Sequence, residues 1–346
     1  MPLNARSFAF DVLDAVENGG FADDLLRAKA IDPQEANLAN ELVFGVLRHR
    51  GQLDFLIGHY SGRTNKLDRE VRNALRLGIY QLRFLDRIPP HAAVSTSVEL
   101  VKRARKASAV GYVNAVLRKV NREPVSYPSD AVVLSMPDWL LTRWERKFGA
   151  VPAHAAAAYF LTKPPVHLRG ERQMDIGAQA IVPLLELAAG HRFLDVCAAP
   201  GNKTLQAAES GVEPVACDRS RKRLAAIPVA KRVQLDAGQS LPFRPVFDRI
   251  LVDAPCSGTG TFGRNPEIKW RVSPEEFARQ AERQLQILRA ALAVLAPGGR
   301  LVYSTCSLEP EENEEVIAHF ADRIVSQSYR LPGREAGDGF FHAVLA

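Results

Sequence analysis

Four thiols carry the most distinctive chemistry in this chain: Cys197, Cys217, Cys256 and Cys306. A thiolate is a strong nucleophile, and a thiol ionises near neutrality once its pKa is lowered from about 8.5. Cys256 stands between a proline and a serine in DAPCSGTG (253–260), and Cys306 stands in LVYSTCS (301–307). Cys256 could be a nucleophile, an accomplice to another nucleophile, or a buried side chain. On position alone the last reading is as good as the others, because cysteine is among the most buried residue types. The chain has no CxxC pair, and its eight histidines are scattered without ligand spacing, so no metal site is expected.

Carboxylates keep the same company as the thiols. Asp195 lies in the first of a series of short apolar runs, Asp218 ends the second, Asp236 follows the third and Asp253 follows the fourth. After the first run comes CAAPGNKT, a tight turn feeding a helix start. One glycine is far from GxGxxG, so a dinucleotide pyrophosphate is poorly supported. A glycine turn at a helix start still offers N–H groups to a carboxylate. Asp218, 23 residues after Asp195, stands where an acid usually receives ribose hydroxyls. A carboxylate cradle, a ribose acid and a further acid for an adenine amine describe S-adenosylmethionine. The expected cofactor residues are Cys197, Ala198, Ala199, Pro200, Gly201, Asn202, Lys203, Asp218, Asp236 and Asp253.

Two kinds of element must position these groups. In the first third, apolar residues recur at helical spacing: Ala9, Val12, Leu13 and Val16; Leu38, Leu42 and Val46; Val71, Leu75, Ile79 and Leu82; Val94, Val98 and Val101; Val113, Val116, Leu117 and Val120. Pro89-Pro90 must interrupt the helical pattern before them. An all-α bundle is expected over 1–125. EPVSYPSD (123–130) reads as a linker, and PDWLLTRWERKFG as a connector helix with Trp139 and Trp144 on its apolar side, the two filling 126–160. Those tryptophans could stack on bases, but packing between domains is the better reading.

From about residue 190, the runs RFLDVC, PVAC, RVQL, RILVDAPC and RLVYSTC alternate with helices. Short apolar strands alternating with helices indicate a parallel sheet covered on both faces. All four thiols then fall at or just beyond strand C-termini, the edge where open α/β sheets bind ligands. Pro297-Gly298-Gly299 is expected to end the long helix before the last of these runs, and GDGFFHAVLA to add an antiparallel closing strand. The fold class is therefore an all-α bundle followed by a Rossmann-like α/β domain over 161–346.

Composition sets the outer bounds. The 346 residues are 47% hydrophobic and 24% charged, ordinary for a globular protein. Acids inside the first apolar stretch argue against a secretory signal, and no stretch is long enough to span a bilayer, so a cytoplasmic location is expected. The net charge of +6 is unevenly spread. Residues 1–61 hold 5 Lys/Arg against 9 Asp/Glu, whereas 62–122 hold 14 against 4. That basic block is either a phosphate-tracking surface or a solvated helix face.

The motifs LDVCAAPGNKT, ACDRSRKRL, QLDAGQSLPF, LVDAPCSGTG and LVYSTCSLEPEENE, in this order, resemble those of the Sun (RsmB-like) family of RNA cytosine-5 methyltransferases. ELVFGVLRHRGQLDFLI and the stretch from LRLGIYQLRF to GYVNAVLRK resemble the helical RNA-binding domain related to the antitermination factor NusB. The resemblance covers nearly the whole chain. It implies S-adenosylmethionine as methyl donor and RNA, small-subunit ribosomal RNA above all, as partner, gripped partly by the basic 62–122 block. It implies Cys306 as the nucleophile towards cytosine C6, Cys256 as the thiol that assists release, Asp253 on the N3/N4 edge of the base, and Lys203 as an ordering residue. Cys197 and Cys217 read as small packing residues at the pocket floor.

Three features depart from the family pattern. Gly170 in PPVHLRG replaces an asparagine, and only about 25 residues then lead to the cofactor turn. The segment between Asp218 and Asp236 is compressed around Pro228, and Asn202 takes a glycine position, expected in left-handed geometry. Two rivals stand beside the main reading: a DNA cytosine-5 methyltransferase using Cys256 as nucleophile, and a non-catalytic RNA-binding or assembly factor that keeps the fold.

Overall fold

The computed structural model describes residues 4–28, 31–62 and 67–346. Arg63 and Lys66 of the basic block, and the first three residues of the N-terminal stretch, lie outside them. The chain divides into two compact units, 1–163 with 262–270, and 164–261 with 271–346.

The first unit is helical: α1 (Ala5–Glu17), α2 (Ala22–Ala28), α3 (Pro33–Arg48), α4 (Arg50–Ser61), α5 (Arg69–Phe84), α6 (Pro90–Arg103), α7 (Val110–Lys119), α8 (Asp130–Val133), α9 (Asp138–Phe148) and α10 (Ala150–Tyr159). The helical-period residues supply its core, in which Phe8, Leu42, Leu53, Leu56 and Leu75 are almost wholly buried. Start signals are local: the Asn4 side chain accepts from Ser7 N to cap α1, and Asp32 accepts from Gln34 N to cap α3. α5 already ends at Phe84, and Pro90 opens α6, the helix position where a missing N–H costs nothing.

The residues read as linker and connector, 126–160, lie inside this unit. Trp144 is fully buried and stacks on Phe262 with ring centroids 5.7 Å apart, while Trp139 is 40% exposed. Phe262 to Trp270 belong to the same unit because their polar groups are satisfied there. Lys269 Nζ donates to Arg48 O at 2.7 Å, Trp270 Nε1 to Leu47 O at 3.1 Å, and Ala22 N to Glu267 Oε1 at 2.9 Å.

The charge division seen along the sequence closes on itself in space. Arg103 pairs with Asp11, Arg69 with Asp14 at 2.6 Å, Arg72 with Glu17 at 3.1 Å, and the buried Arg76 with Glu17 at 2.6 Å and Asp54 at 2.7 Å. Acids of the first segment thus pair with four of the block's basic residues, Arg69, Arg72, Arg76 and Arg103. Exposed Arg87, Arg105, Arg118 and Lys119 are left with no ion pair among the described residues.

The second unit begins with a small antiparallel hairpin, β1 (Leu168–Arg169) and β2 (Arg172–Gln173), turning at Gly170. Then follow α11 (Ile176–Gln179), β3 (Phe193–Asp195), α12 (Asn202–Ala208), β4 (Pro214–Asp218), α13 (Arg221–Ala225), β5 (Lys231–Gln234), β6 (Phe247–Asp253), α14 (Pro274–Leu292), β7 (Leu295–Thr305), α15 (Glu314–Ile317), β8 (Ile324–Arg330) and β9 (Phe340–Leu345). The seven-stranded sheet runs β5-β4-β3-β6-β7-β9-β8. Within this sheet β9, the closing strand, runs against the other six strands, pairing antiparallel with both β7 and β8.

Two local expectations need correction. Pro297-Gly298-Gly299 does not end the long helix, which stops at Leu292; the three residues lie within β7. There Leu295 pairs with Phe247 and Arg300 with Arg249, so the extra residues bulge out of the ladder, where proline and glycine are tolerated. Asn202 is not left-handed but opens α12; the left-handed residue is Gly201 before it, with φ of 106°.

Candidate active site

Strands β3, β6 and β7 lie side by side and parallel, with Asp195 opposite Leu251 and Asp253 opposite Ser304. This register delivers the two DAPC and STC loops to one sheet edge. Cys306 is the first residue beyond β7, Cys256 the third beyond β6, Cys197 the second beyond β3, and Cys217 lies one short of the end of β4.

The loops after β6 and β7 are fastened through backbone. Ala254 N donates to Ser304 O at 2.8 Å, Gly260 N to Cys306 O at 2.8 Å, and Gly339 N to Gly260 O at 2.8 Å. Only glycine fits at 260, since a Cβ there would stand 2.3 Å from Gly339 O and 2.8 Å from Cys306 O. The result is a sulfur-to-sulfur distance of 3.2 Å between Cys256 and Cys306, both partly exposed.

The hydrogen bond to the Cys306 sulfur, burial, and negative charge at Cys306 and Glu312 push the Cys256 thiol well above its ordinary range. Each of these causes disfavours the Cys256 thiolate. Burial pushes Cys217 up to about 12 and raises Cys197 as well, which leaves both inert. Cys217 sits in the sheet core at 1% exposure, as a packing residue should.

Asp253 stands beside the thiol pair with both oxygens engaged. Its Oδ2 accepts from Lys203 Nζ at 2.6 Å and its Oδ1 from Ser304 Oγ at 2.7 Å. The lysine of the turn after β3 and the serine of β7 thus hold one carboxylate from both sides.

The turn from Cys197 to Lys203 is anchored to the neighbouring strand. Ala198 N donates to Cys217 O at 2.8 Å and Ala199 N to Asp218 Oδ2 at 3.2 Å, while Asp218 Oδ1 accepts from Ser220 N at 2.7 Å. The peptide before Pro200 is cis. A Cβ on Gly201 would press on Ile227 at 3.0 Å. Asp236 is exposed, its Oδ1 accepting from Gly238 N at 3.1 Å.

Asp195 received no role in the sequence reading, yet it is the most perturbed carboxyl of this edge. Burial pushes it up to about 7, against a 2.6 Å hydrogen bond from the Thr204 hydroxyl to Oδ2. Among the described residues, its Oδ1 is buried with no side-chain hydrogen-bond partner. An unsatisfied buried acceptor costs about 1–3 kcal/mol and is a natural receptor for a polar or cationic ligand group. A polar cluster of Ser257, Ser307, Gln284 and Glu312 packs by the thiols; three of its members lie within the quoted motifs but carry no role there. Among the described residues no group of three or more His, Cys, Asp or Glu could hold a metal ion, and no helix is long and apolar enough to cross a membrane.

Comparison with known proteins agrees with this architecture. A family model described as 16S rRNA methyltransferase RsmB/F matches residues 182–330, and the NusB family model matches residues 3–122. The ribosomal RNA small subunit methyltransferase B of Thermus thermophilus is 38% identical, the match covering 92% of this chain and 87% of that protein. The protein of the same name from Klebsiella pneumoniae is 32% identical over 425 aligned positions, covering 99% and 98%. The crystal structure of PH0851 superposes over the whole chain with a TM-score of 0.78 at 20% identity, which is a likeness of fold. The chain belongs to the RsmB/F family of ribosomal RNA methyltransferases, with a NusB-like helical region ahead of its Rossmann-like domain.

Proposed function

We propose that this protein methylates C5 of a cytosine in small-subunit ribosomal RNA, using S-adenosylmethionine and two cysteines with separate tasks. The observation that carries the reading is the pair of thiols 3.2 Å apart beside a carboxylate held by Lys203 and Ser304. Cytosine C5 is a poor nucleophile until something adds to C6. The Cys306 thiolate forms the S–C6 bond, and the electron pair of the C5–C6 double bond moves to C5. Asp253 meets the N3/N4 edge and favours the protonated base as charge develops there. After transfer, a solvent base takes the C5 proton, the C–H electron pair re-forms the C5–C6 double bond, and the S–C6 bond breaks with its pair returning to the Cys306 sulfur. Cys256, whose sulfur lies 3.2 Å from that of Cys306, assists this release by hydrogen-bonding to the departing sulfur.

Bound S-adenosylmethionine would supply an electrophilic methyl group on a sulfonium, whose sulfur would leave as a neutral thioether. The turn from Cys197 to Lys203, with Asp218, Asp236 and Asp253, would hold it. Its amine and ribose hydroxyls suit the fixed Asp218 carboxylate and the buried Asp195 Oδ1, which among the described residues has no side-chain partner; this supports the fit. Because the target base must be unstacked to reach a pocket, recognition rests on local RNA shape, with the helical unit providing grip. Exposed Arg87, Arg105, Arg118 and Lys119 are the part of the basic block available for that grip.

Labelled methyl transfer to purified small-subunit RNA, followed by nucleoside mass spectrometry, tests the reading. 5-Methylcytidine is the expected product. Label in DNA alone would favour the DNA methyltransferase, and no transfer to naked RNA or assembled subunits would favour a binding factor.

A further inference from the structure

The residue after each thiol is a serine, Ser257 after Cys256 and Ser307 after Cys306, and both are buried. They meet on one carboxylate. Ser257 N donates to Glu312 Oε2 at 2.8 Å, the Ser257 hydroxyl donates to Oε1, and the Ser307 hydroxyl donates to Oε1 at 2.7 Å. Gln284 on α14 donates from Nε2 to Glu312 Oε2 and to Pro255 O, both at 2.9 Å. Glu312 itself is 0% exposed, in the short turn that follows β7.

A buried carboxylate is expensive unless several donors compensate it, and four donors converge here. Three of them come from the residues that immediately follow the two thiols. Next to Glu312, Asn313 accepts from Thr305 Oγ1 at 2.6 Å and donates to Ser307 O at 2.9 Å, which fixes the turn carrying the glutamate to the Cys306 loop. A carboxylate needed only for fold stability has no reason to bond the neighbours of both thiols at once.

We propose that Glu312 is the positioning residue of the thiol pair, a single buried anchor that sets the Cys256–Cys306 separation by tying the two loops together. The inference rests on the reading of these thiols as partners in one reaction. Gln284 holds the anchor from α14, and Ser257 and Ser307 transmit it to the sulfurs one residue away. A glutamine at 312 can satisfy the same ring, because serine hydroxyls both donate and accept. An alanine cannot.

The test measures spacing and activity separately in the full-length protein. Phenylarsine oxide takes two neighbouring thiols on one arsenic, so its bridging rate reads the Cys256–Cys306 distance without any turnover, with Cys256→Ala as the blank. Glu312→Gln should bridge and methylate within about threefold of the parent, whereas Glu312→Ala should bridge at least about tenfold more slowly. Glu312→Ala should also lose about 100-fold in kcat, the scale of an ångström-sized misplacement, with KM for S-adenosylmethionine nearly unchanged. Should Glu312→Ala fail to fold, the double variant Ser257→Ala/Ser307→Ala removes the hydroxyl ties and should slow bridging several-fold. Parental bridging in Glu312→Ala or in the double variant overturns the proposal, as does a Glu312→Gln protein as impaired as Glu312→Ala. Glu312-dependent bridging in a protein that methylates no RNA would uphold the anchor and overturn the cytosine reading instead.

Discussion

Cys256 Sγ and Cys306 Sγ lie 3.2 Å apart although 50 residues separate them in the chain. The parallel register of β6 and β7 explains this. Asp253 pairs with Ser304, so the loops that follow leave the sheet side by side. Backbone bonds through Gly260 then hold the loops together.

Gly260 is the point where that packing leaves no room. Its missing Cβ would fall 2.3 Å from Gly339 O, and backbone cannot swing away as a flexible side chain can. Gly260→Ala should therefore cost about 1–3 kcal/mol, as overpacking does, and should lower methyl transfer more than cofactor affinity. Denaturant melts and titration calorimetry check the two halves. A variant of parental stability would show that the loops can spread.

The cancellation of charge in the helical unit makes a sharp distinction among its basic residues. Arg105→Ala, Arg118→Ala and Lys119→Ala should each weaken RNA binding and reduce the slope of log K against log salt by roughly 0.7–0.9 for each phosphate no longer neutralised. Arg69→Ala removes the partner of Asp14 and should leave that slope unchanged. Equal effects at all four positions would restore the whole block as the RNA surface.

Asp195 ties stability to pH. Its folded pKa of about 7 lies above the usual carboxylate value, because burial disfavours the charge. The folded state therefore holds the proton more tightly than the unfolded chain. That contribution is complete below about pH 4 and is lost as pH rises through about 7. Between about pH 5 and pH 8 the parent should lose on the order of 2–3 kcal/mol more than Asp195→Asn. Thermal melts of both proteins across that range supply the comparison, and parallel curves would contradict it.

How much of this was legible in the sequence differs by scale. The helical periods of Val71, Leu75 and Ile79, and the apolar runs around Leu194 and Leu251, became the expected helix and strands because burial itself imposes those periods. The family motifs marked Cys256, Cys306 and Asp253, which meet at one edge. What stayed hidden depends on pairings between distant segments. The basic block looked uniform until Asp11, Asp14 and Glu17 were seen folded onto it. Glu312 was one acid among several in LEPEENE, and only its convergence with Ser257, Ser307 and Gln284 distinguishes it. Pro297-Gly298-Gly299 misled because a helix stop and a strand bulge use the same residues.

The central claim, that Cys306 makes the bond and Cys256 lets it go, is tested most directly by trapping. Cys306→Ala and Cys256→Ala proteins are each mixed with S-adenosylmethionine and small-subunit RNA, then run on denaturing gels. Cys256→Ala should accumulate a covalent protein–RNA adduct, and Cys306→Ala should form none. An adduct that disappears in Cys256→Ala and persists in Cys306→Ala would reverse the two roles.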